Sequence, residues 1–404
     1  MRAAGALVLA ASACACGDNL PAALPDAAPF AAACTPGAPA VLEPLWIAGG
    51  AGAAGDVGGF GKPDALLISP DGVLLAGDED EAYDEIHLYD LASDDPDAHG
   101  DALAPLADLG GWNGISGFAL DAETAAIYVV EQGADRVQRM RVADDPRAPP
   151  YLVADGTVGE PAVDPDAPAD GTFVRPQAAR VDRLGRLHVS DDARGQAPGA
   201  RRDVQLFSRA GDYLAKLGDP SYGDEPGAGG RLGEPENFAL DQVRDRIYVC
   251  DELTREVVVY RYSDRAYLDR FGGFRGIPNG IDLDAHGFIY VMDEGDQEVS
   301  AVRVFDPDGF AERWSFGARS EPEDLTPGTF HSADTLLIDA ARDLLLVADQ
   351  GHDRVQAFSL GEVQGRACIA SATLSAPEAV RPGRAIPVRA LRFGPDGAVD
   401  RLRL

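Results

Sequence analysis

The chain has 404 residues, 45% of them apolar, which is enough to bury a large core. It carries 67 acidic against 35 basic residues, a formal net charge of -32. That balance excludes nucleic acid and anionic membrane surfaces as partners, because both need a basic contact face.

Residues 1–16 hold one Arg, an Ala/Leu/Val run and small residues before a cysteine, the pattern of an export signal too short to span a bilayer. Ala13-Cys14-Ala15-Cys16-Gly17-Asp18 resembles a bacterial lipoprotein processing site, which implies a lipid on Cys16, with Cys14 as the alternative. Residues 17–40 are rich in Ala and Pro without periodicity and are expected to be a flexible tether. These features place the protein in the cell envelope, as a monomer in the periplasm, outer membrane or on the cell surface. Contact with a membrane is expected only through the anchor.

From residue 41 to residue 365 one pattern recurs. Phe330 to Phe358 shows it most clearly, with apolar runs at Leu336-Leu337-Ile338, Leu344 to Ala348 and Val355 to Phe358 separated by Asp/Gly-rich turns. Runs this short between such turns are strands of an antiparallel meander. The second run recurs at Val73, Ile127, Leu187, Ile247 and Ile289, giving six units about 40–60 residues apart. One meander cannot bury both its faces, so the units must stack on one another, and six four-stranded blades around a channel is the economical arrangement. The fold class is all-β, a six-bladed propeller.

Asp349-x-x-His352-Asp353-Arg354-Val355-Gln356 and Gly133-Ala134-Asp135-Arg136-Val137-Gln138 resemble the NHL repeat over roughly residues 41–360. The resemblance implies a propeller of the NHL/TolB-like kind and leaves activity open, since this fold carries many functions.

Val41 to Gly50 reads as a fourth strand with no first three before it, and the last unit has three strands with no fourth. Joining the two closes the ring and removes both open edges. Cys34 and Cys368 then fall at one end of the same blade and are expected to form a disulfide, contributing about 4–5 kcal/mol if unstrained. Ala143 to Thr172, Asp191 to Asp203 and Asp219 to Arg231 interrupt the repeat as Gly/Pro/Asp-rich insertions expected on the face of the channel mouth. Residues 366–404 are expected to be a β extension.

Aligning the first strand of each unit places one residue per blade at the mouth: Asp64, Ser116, Gln177, Glu236, Asn279 and Asp334. Carboxylates converging on a narrow channel repel, so either a pKa rises or a cation neutralises them. Asp64, Glu236, Asn279 and Asp334 offer the oxygen donors of a hard ion, Ca²⁺ before Mg²⁺. Ser116, Gln177 and Arg275 are expected to line the binding site beside them. The second strands end in another acidic set, Asp78-Glu79, Glu131, Asp191-Asp192, Asp251-Glu252, Asp293-Glu294 and Asp349, most of which read as turn residues. His331, three residues before Asp334, is the one histidine near enough to serve as a general base.

Pro278-Asn279-Gly280-Ile281-Asp282 resembles the metal-binding segments of calcium-dependent lactonases of the gluconolactonase and regucalcin type. Phe330 to Asp334, Asp349-Gln350-Gly351 and Pro235-Glu236-Asn237 with Asp251-Glu252 resemble segments of β-propeller phytases. A phytase would need several Ca²⁺ ions and a phosphate cradle, for which Arg275 or Arg319 are the arginines at hand. A pure binding role needs neither and treats the long-loop face as a docking surface for a small anionic or sugar-derived ligand or a protein.

Overall fold

The computed structural model describes residues 42–49, 59–80, 85–91, 111–145, 150–192, 202–217, 229–295 and 299–366, with 392–393 and 399–400. Strand β1 is Trp46–Gly49. Blade one holds β2 (Pro63–Ile68), β3 (Val73–Asp78) and β4 (Ile86–Asp90). Blade two holds β5 (Ile115–Asp121), β6 (Ala126–Glu131), β7 (Arg136–Val142) and β8 (Leu152–Val158). The two-residue strands β9 (Glu160–Pro161) and β10 (Thr172–Phe173) pair in parallel beside it.

Blade three is β11 (Pro176–Val181), β12 (Leu187–Asp191), β13 (Asp203–Phe207) and β14 (Tyr213–Leu217). Blade four is β15 (Pro235–Asp241), β16 (Arg246–Asp251), β17 (Glu256–Arg261) and β18 (Tyr267–Phe271). Blade five is β19 (Ile277–Leu283), β20 (Ile289–Glu294), β21 (Ser300–Phe305) and β22 (Glu312–Phe316). Blade six is β23 (Ala333–Asp339), β24 (Leu344–Asp349) and β25 (Arg354–Ser359), completed by β1.

That completion is the expected closure. Trp46 to Gly49 pairs antiparallel with Ala357 to Arg354, so the chain's first described strand seals the last blade. Blade one shows three strands, and the stretch where a fourth would fall, 92–110, lies outside the described residues, as do Cys14, Cys16, Cys34 and Cys368.

The core is divided as a ring of blades requires. Six large apolar clusters form among the described residues, one at each junction between neighbouring blades. The junction of blades six and one joins Leu344, Leu346 and Ala348 to Leu66, Ile68 and Leu74, with Ala48 of β1 packed among them. The second strand of each blade is therefore buried on both faces, which explains why β3 and β24 read as unbroken apolar runs.

One reading of the sequence needs correction. Ala143 to Thr172 is not wholly an insertion, because it contains β8, the outer strand of blade two. Only the end residues of β8, Leu152 and Val158, are buried, so its exposed middle gives no apolar periodicity to recognise. The end of the propeller also carries a short helix, α1 (Leu360–Arg366), whose Leu360 and Val363 are buried against blades five and six.

Candidate functional site

The innermost strands β2, β5, β11, β15, β19 and β23 start at one face and run down the channel. Asp64, Ser116, Gln177, Glu236, Asn279 and Asp334 all lie at or next to the second residue of these strands, so the expected ring does surround the axis. Asp64, Glu236 and Asn279 are buried, while Asp334 keeps some exposure at the opening. Glycine at 280 makes this possible: a Cβ there would sit 2.5 Å from the carbonyl oxygen of Asp334. The bare backbone lets blade six lie against blade five and brings Asn279 beside Asp334.

The acidic residues closing each second strand divide into two jobs. The first residue of each pair clamps the loop entering its own blade. Asp78 accepts the backbone N–H groups of Gly61 and Lys62 at 2.7 and 3.0 Å. Asp191 takes those of Val174 and Arg175, Asp251 those of Gly233 and Glu234, and Asp293 those of Arg275 and Gly276. Asp349 takes that of His331 at 2.8 Å. These are turn residues, as expected.

The following residue instead joins the mouth; the sequence reading put Glu79, Asp192, Glu252 and Glu294 on this face but took most of that set for turn residues, and it missed Gln132 and Gln350. Glu79, Gln132, Asp192, Glu252, Glu294 and Gln350 form a second tier interlocked with the first. Gln132 donates to Gln177 Oε1 at 2.6 Å, and Gln177 donates to Asp192 Oδ2 at 2.8 Å. Asn279 Nδ2 donates to Glu294 at 3.4 Å, and Gln350 Nε2 to Glu79 at 3.2 Å. Asp64 and Asp334 are hydrogen-bonded to each other, as are Glu236 and Glu252.

Two carboxyl groups can share a hydrogen bond only if one holds a proton, and the electrostatics agree. Burial first, then the neighbouring carboxylates, push Asp64, Glu236 and Asp334 well above the usual carboxylate range. For Asp64 those neighbours are Glu79, Glu236 and Glu294; for Glu236 they are Asp192, Glu252 and Asp334. Arg175 ion-pairs with Asp192 and relieves one edge of the cluster.

Among the described residues, no group of three or more His, Cys, Asp or Glu side chains is placed as a metal cage. The carboxylates stand in hydrogen-bonded pairs. Yet the donor set suits a hard cation, and one oxygen is conspicuous. Asn279 Oδ1 is buried with no hydrogen-bond partner, and Asn279 as a whole is 7% exposed. An amide oxygen left without a partner next to carboxylates at the neck of a channel is the kind of donor a hard cation takes.

The remaining expected residues are placed as follows. Ser116 Oγ donates to the carbonyl of Pro176 at 3.1 Å, a strut between blades two and three. Arg275 is exposed and offers its backbone N–H to Asp293. Arg319 is ion-paired with Glu321 at 2.7 Å. His331 Nδ1 lies 2.9 Å from the carbonyl of Ser320, and its ring centroid is 5.7 Å from that of His352, so its contacts tie down a loop.

Compared with known proteins, the sequence matches no protein-family model and no curated protein. Its fold does match solved structures. A gluconolactonase from Xanthomonas campestris aligns with 17% identity over 74% of this chain and 86% of that one, at a TM-score of 0.50. The hydrazine synthase of Kuenenia stuttgartiensis aligns with 11% identity over 77% and 80%, at 0.50. A Bacteroides thetaiotaomicron protein of unknown function aligns with 13% identity over 77% and 74%, at 0.51. At such identities the likeness establishes the six-bladed propeller and nothing narrower.

Proposed function

We propose that the channel mouth is a divalent-cation site, calcium first, that holds a small oxygen-rich ligand in an exported protein tethered by a lipid on Cys16. The orphaned Oδ1 of Asn279 carries this reading. Asp64, Glu236 and Asp334 would hold the ion with Asn279, and Glu79 and Glu294 flank the two aspartates closely enough to raise their proton affinity. A bound ion would supply positive charge to a ligand oxygen in a neck that otherwise repels anions. The pairs that now share protons would release them on binding.

A second reading is hydrolysis of a lactone. It rests on the Pro278-Asn279-Gly280 segment at the site and fits the fold likeness to a gluconolactonase. Water would add to the ring carbonyl and the ring ester C–O bond would break, giving a hydroxy acid. Of the expected bases, His331 is committed to its loop, which leaves the carboxyl pairs to accept the proton.

Calcium calorimetry on the full chain tests the site. Saturable binding is expected, falling at least about tenfold in Asp334→Ala/Glu236→Ala. Full affinity in that variant would refute the assignment. Turnover of a sugar lactone with calcium present would favour the lactonase, and phosphate release from phytate with several ions bound would favour the phytase instead.

A further inference from the structure

Beneath the mouth the channel changes character. Three residues further along each inner strand, about 10 Å deeper, the ring reads Leu67, Ala119, Arg180, Ala239, Asp282 and Leu337. These six line a cavity of about 60 Å³ whose other walls are mainly apolar. By volume it has room for about four to six water molecules. Asn237 Nδ2 reaches Thr335 Oγ1 at 3.3 Å, a bond from blade four to blade six that crosses the channel above this ring. The chamber runs down as far as Asp339, at the end of β23.

Two opposite charges face this chamber. The Arg180 guanidinium donates from Nη1 to the carbonyl of Ala179 at 2.9 Å and lies 5.9 Å from the Phe238 ring centroid. Most other described arginines are ion-paired, whereas Arg180 has no carboxylate within salt-bridge distance among the described residues. Asp282 stands on the next blade but one, beyond the small Ala239. It accepts the N–H of Ile338 through Oδ2 and that of Leu283 through Oδ1, both at 2.8 Å. Its lone pairs remain underused; burial raises its pKa, and the attraction of Arg180 across the gap works against that and favours the carboxylate.

We propose that this lower chamber is a second binding site, independent of the cation site, for a small zwitterion with an apolar side chain, such as an aliphatic α-amino acid. A carboxylate would take the free edge of the Arg180 guanidinium, whose fork suits it. An ammonium group would meet Asp282, and an aliphatic side chain would lie along Leu67, Leu120, Leu240 and Ile338. A simple anion would be repelled by Asp282 and a simple cation by Arg180. Only a ligand carrying both charges satisfies the pair.

Calorimetry and thermal shift with alanine, acetate and ethylamine test this on the full chain, alanine having six non-hydrogen atoms and so the size that the chamber admits. Alanine is expected to bind at least tenfold more tightly than either single-charge probe. Arg180→Met should abolish alanine binding while leaving the calcium heat unchanged, and Asp282→Asn should shift preference toward acetate. Should Arg180→Met fail to fold, Ala239→Phe, which fills the chamber, should block alanine in the same way. Alanine binding no better than acetate, or undiminished in the folded variants, would overturn the proposal and leave a water-filled channel.

Discussion

At the scale of single residues, position 280 does more for the site than any donor. The Cβ of any other residue would collide with the Asp334 carbonyl and with the Leu336 nitrogen, 2.8 Å away. Gly280→Ala should therefore cost about 1–3 kcal/mol in a denaturant titration and weaken calcium binding in parallel. Unaltered affinity would mean that the approach of blades five and six does not set the site. The mouth carboxylates were legible in the sequence because each stands at a fixed distance before a strand's last apolar residue. The second tier was not, because Asp251 and Glu252 look alike in sequence and only the fold separates a loop clamp from a channel wall. His87 is a different kind of residue. Both its ring nitrogens are buried without a partner, with Phe60 edge-on at 4.7 Å and Glu85 no nearer than 4.0 Å. Burial lowers its pKa from 6.5 to about 4. The unfolded chain then binds a proton that the folded chain refuses, so stability is full above the ordinary value and falls as pH drops toward the folded one. That loss is about 3 kcal/mol. Denaturation of His87→Phe against pH should flatten this acid slope, and an unchanged slope would contradict it.

At the scale of elements, the connection from β22 to β23 behaves as a latched strap. Arg354 donates to the carbonyls of Leu325, Thr326 and Thr329, and Gln356 to that of Thr329. His352 sits between Asp349 Oδ2, 2.8 Å from Nδ1, and the Glu321 carbonyl, 3.1 Å from Nε2. Both neighbours are acceptors, so the charged imidazolium satisfies both. Burial opposes that charge, and Arg354 opposes it too, but the hydrogen bond and charge of Asp349 outweigh them and raise the pKa. A raised folded value means that the contribution is full below the ordinary histidine range and is lost as pH rises through the folded value. Hydrogen exchange in residues 318–330, corrected for intrinsic rates, should quicken as pH rises from below the ordinary histidine range to well above it. In His352→Gln that pH dependence should vanish, whereas equal protection at both ends of that range in the parent chain would show that the imidazolium does not hold the strap. The sequence showed the strands on either side of this strap plainly, since their apolar runs are periodic. It hid the latch, because side chains from β25 and the turn before it hold backbone groups some 25 to 30 positions away.

At the scale of the whole molecule, everything depends on closure. Six apolar junctions and the pairing of β1 with β25 fix the blades in a ring, and the ring alone brings Asp64 and Asp334, at opposite ends of the sequence, into hydrogen-bonding contact. This much was readable from the repeat, because a meander that cannot bury itself must find copies beside it. The proton-sharing between those carboxylates was not readable, since it follows from burial that only the assembled channel creates. The most direct measurement of the account is anomalous diffraction from crystals soaked in a calcium-replacing lanthanide. One strong peak should appear at the neck of the channel, within bonding distance of Asn279 Oδ1 and the carboxylates of Asp64 and Asp334. A neck without a peak, or ions found only on surface loops such as the one holding Asp164 and Asp166, would contradict it.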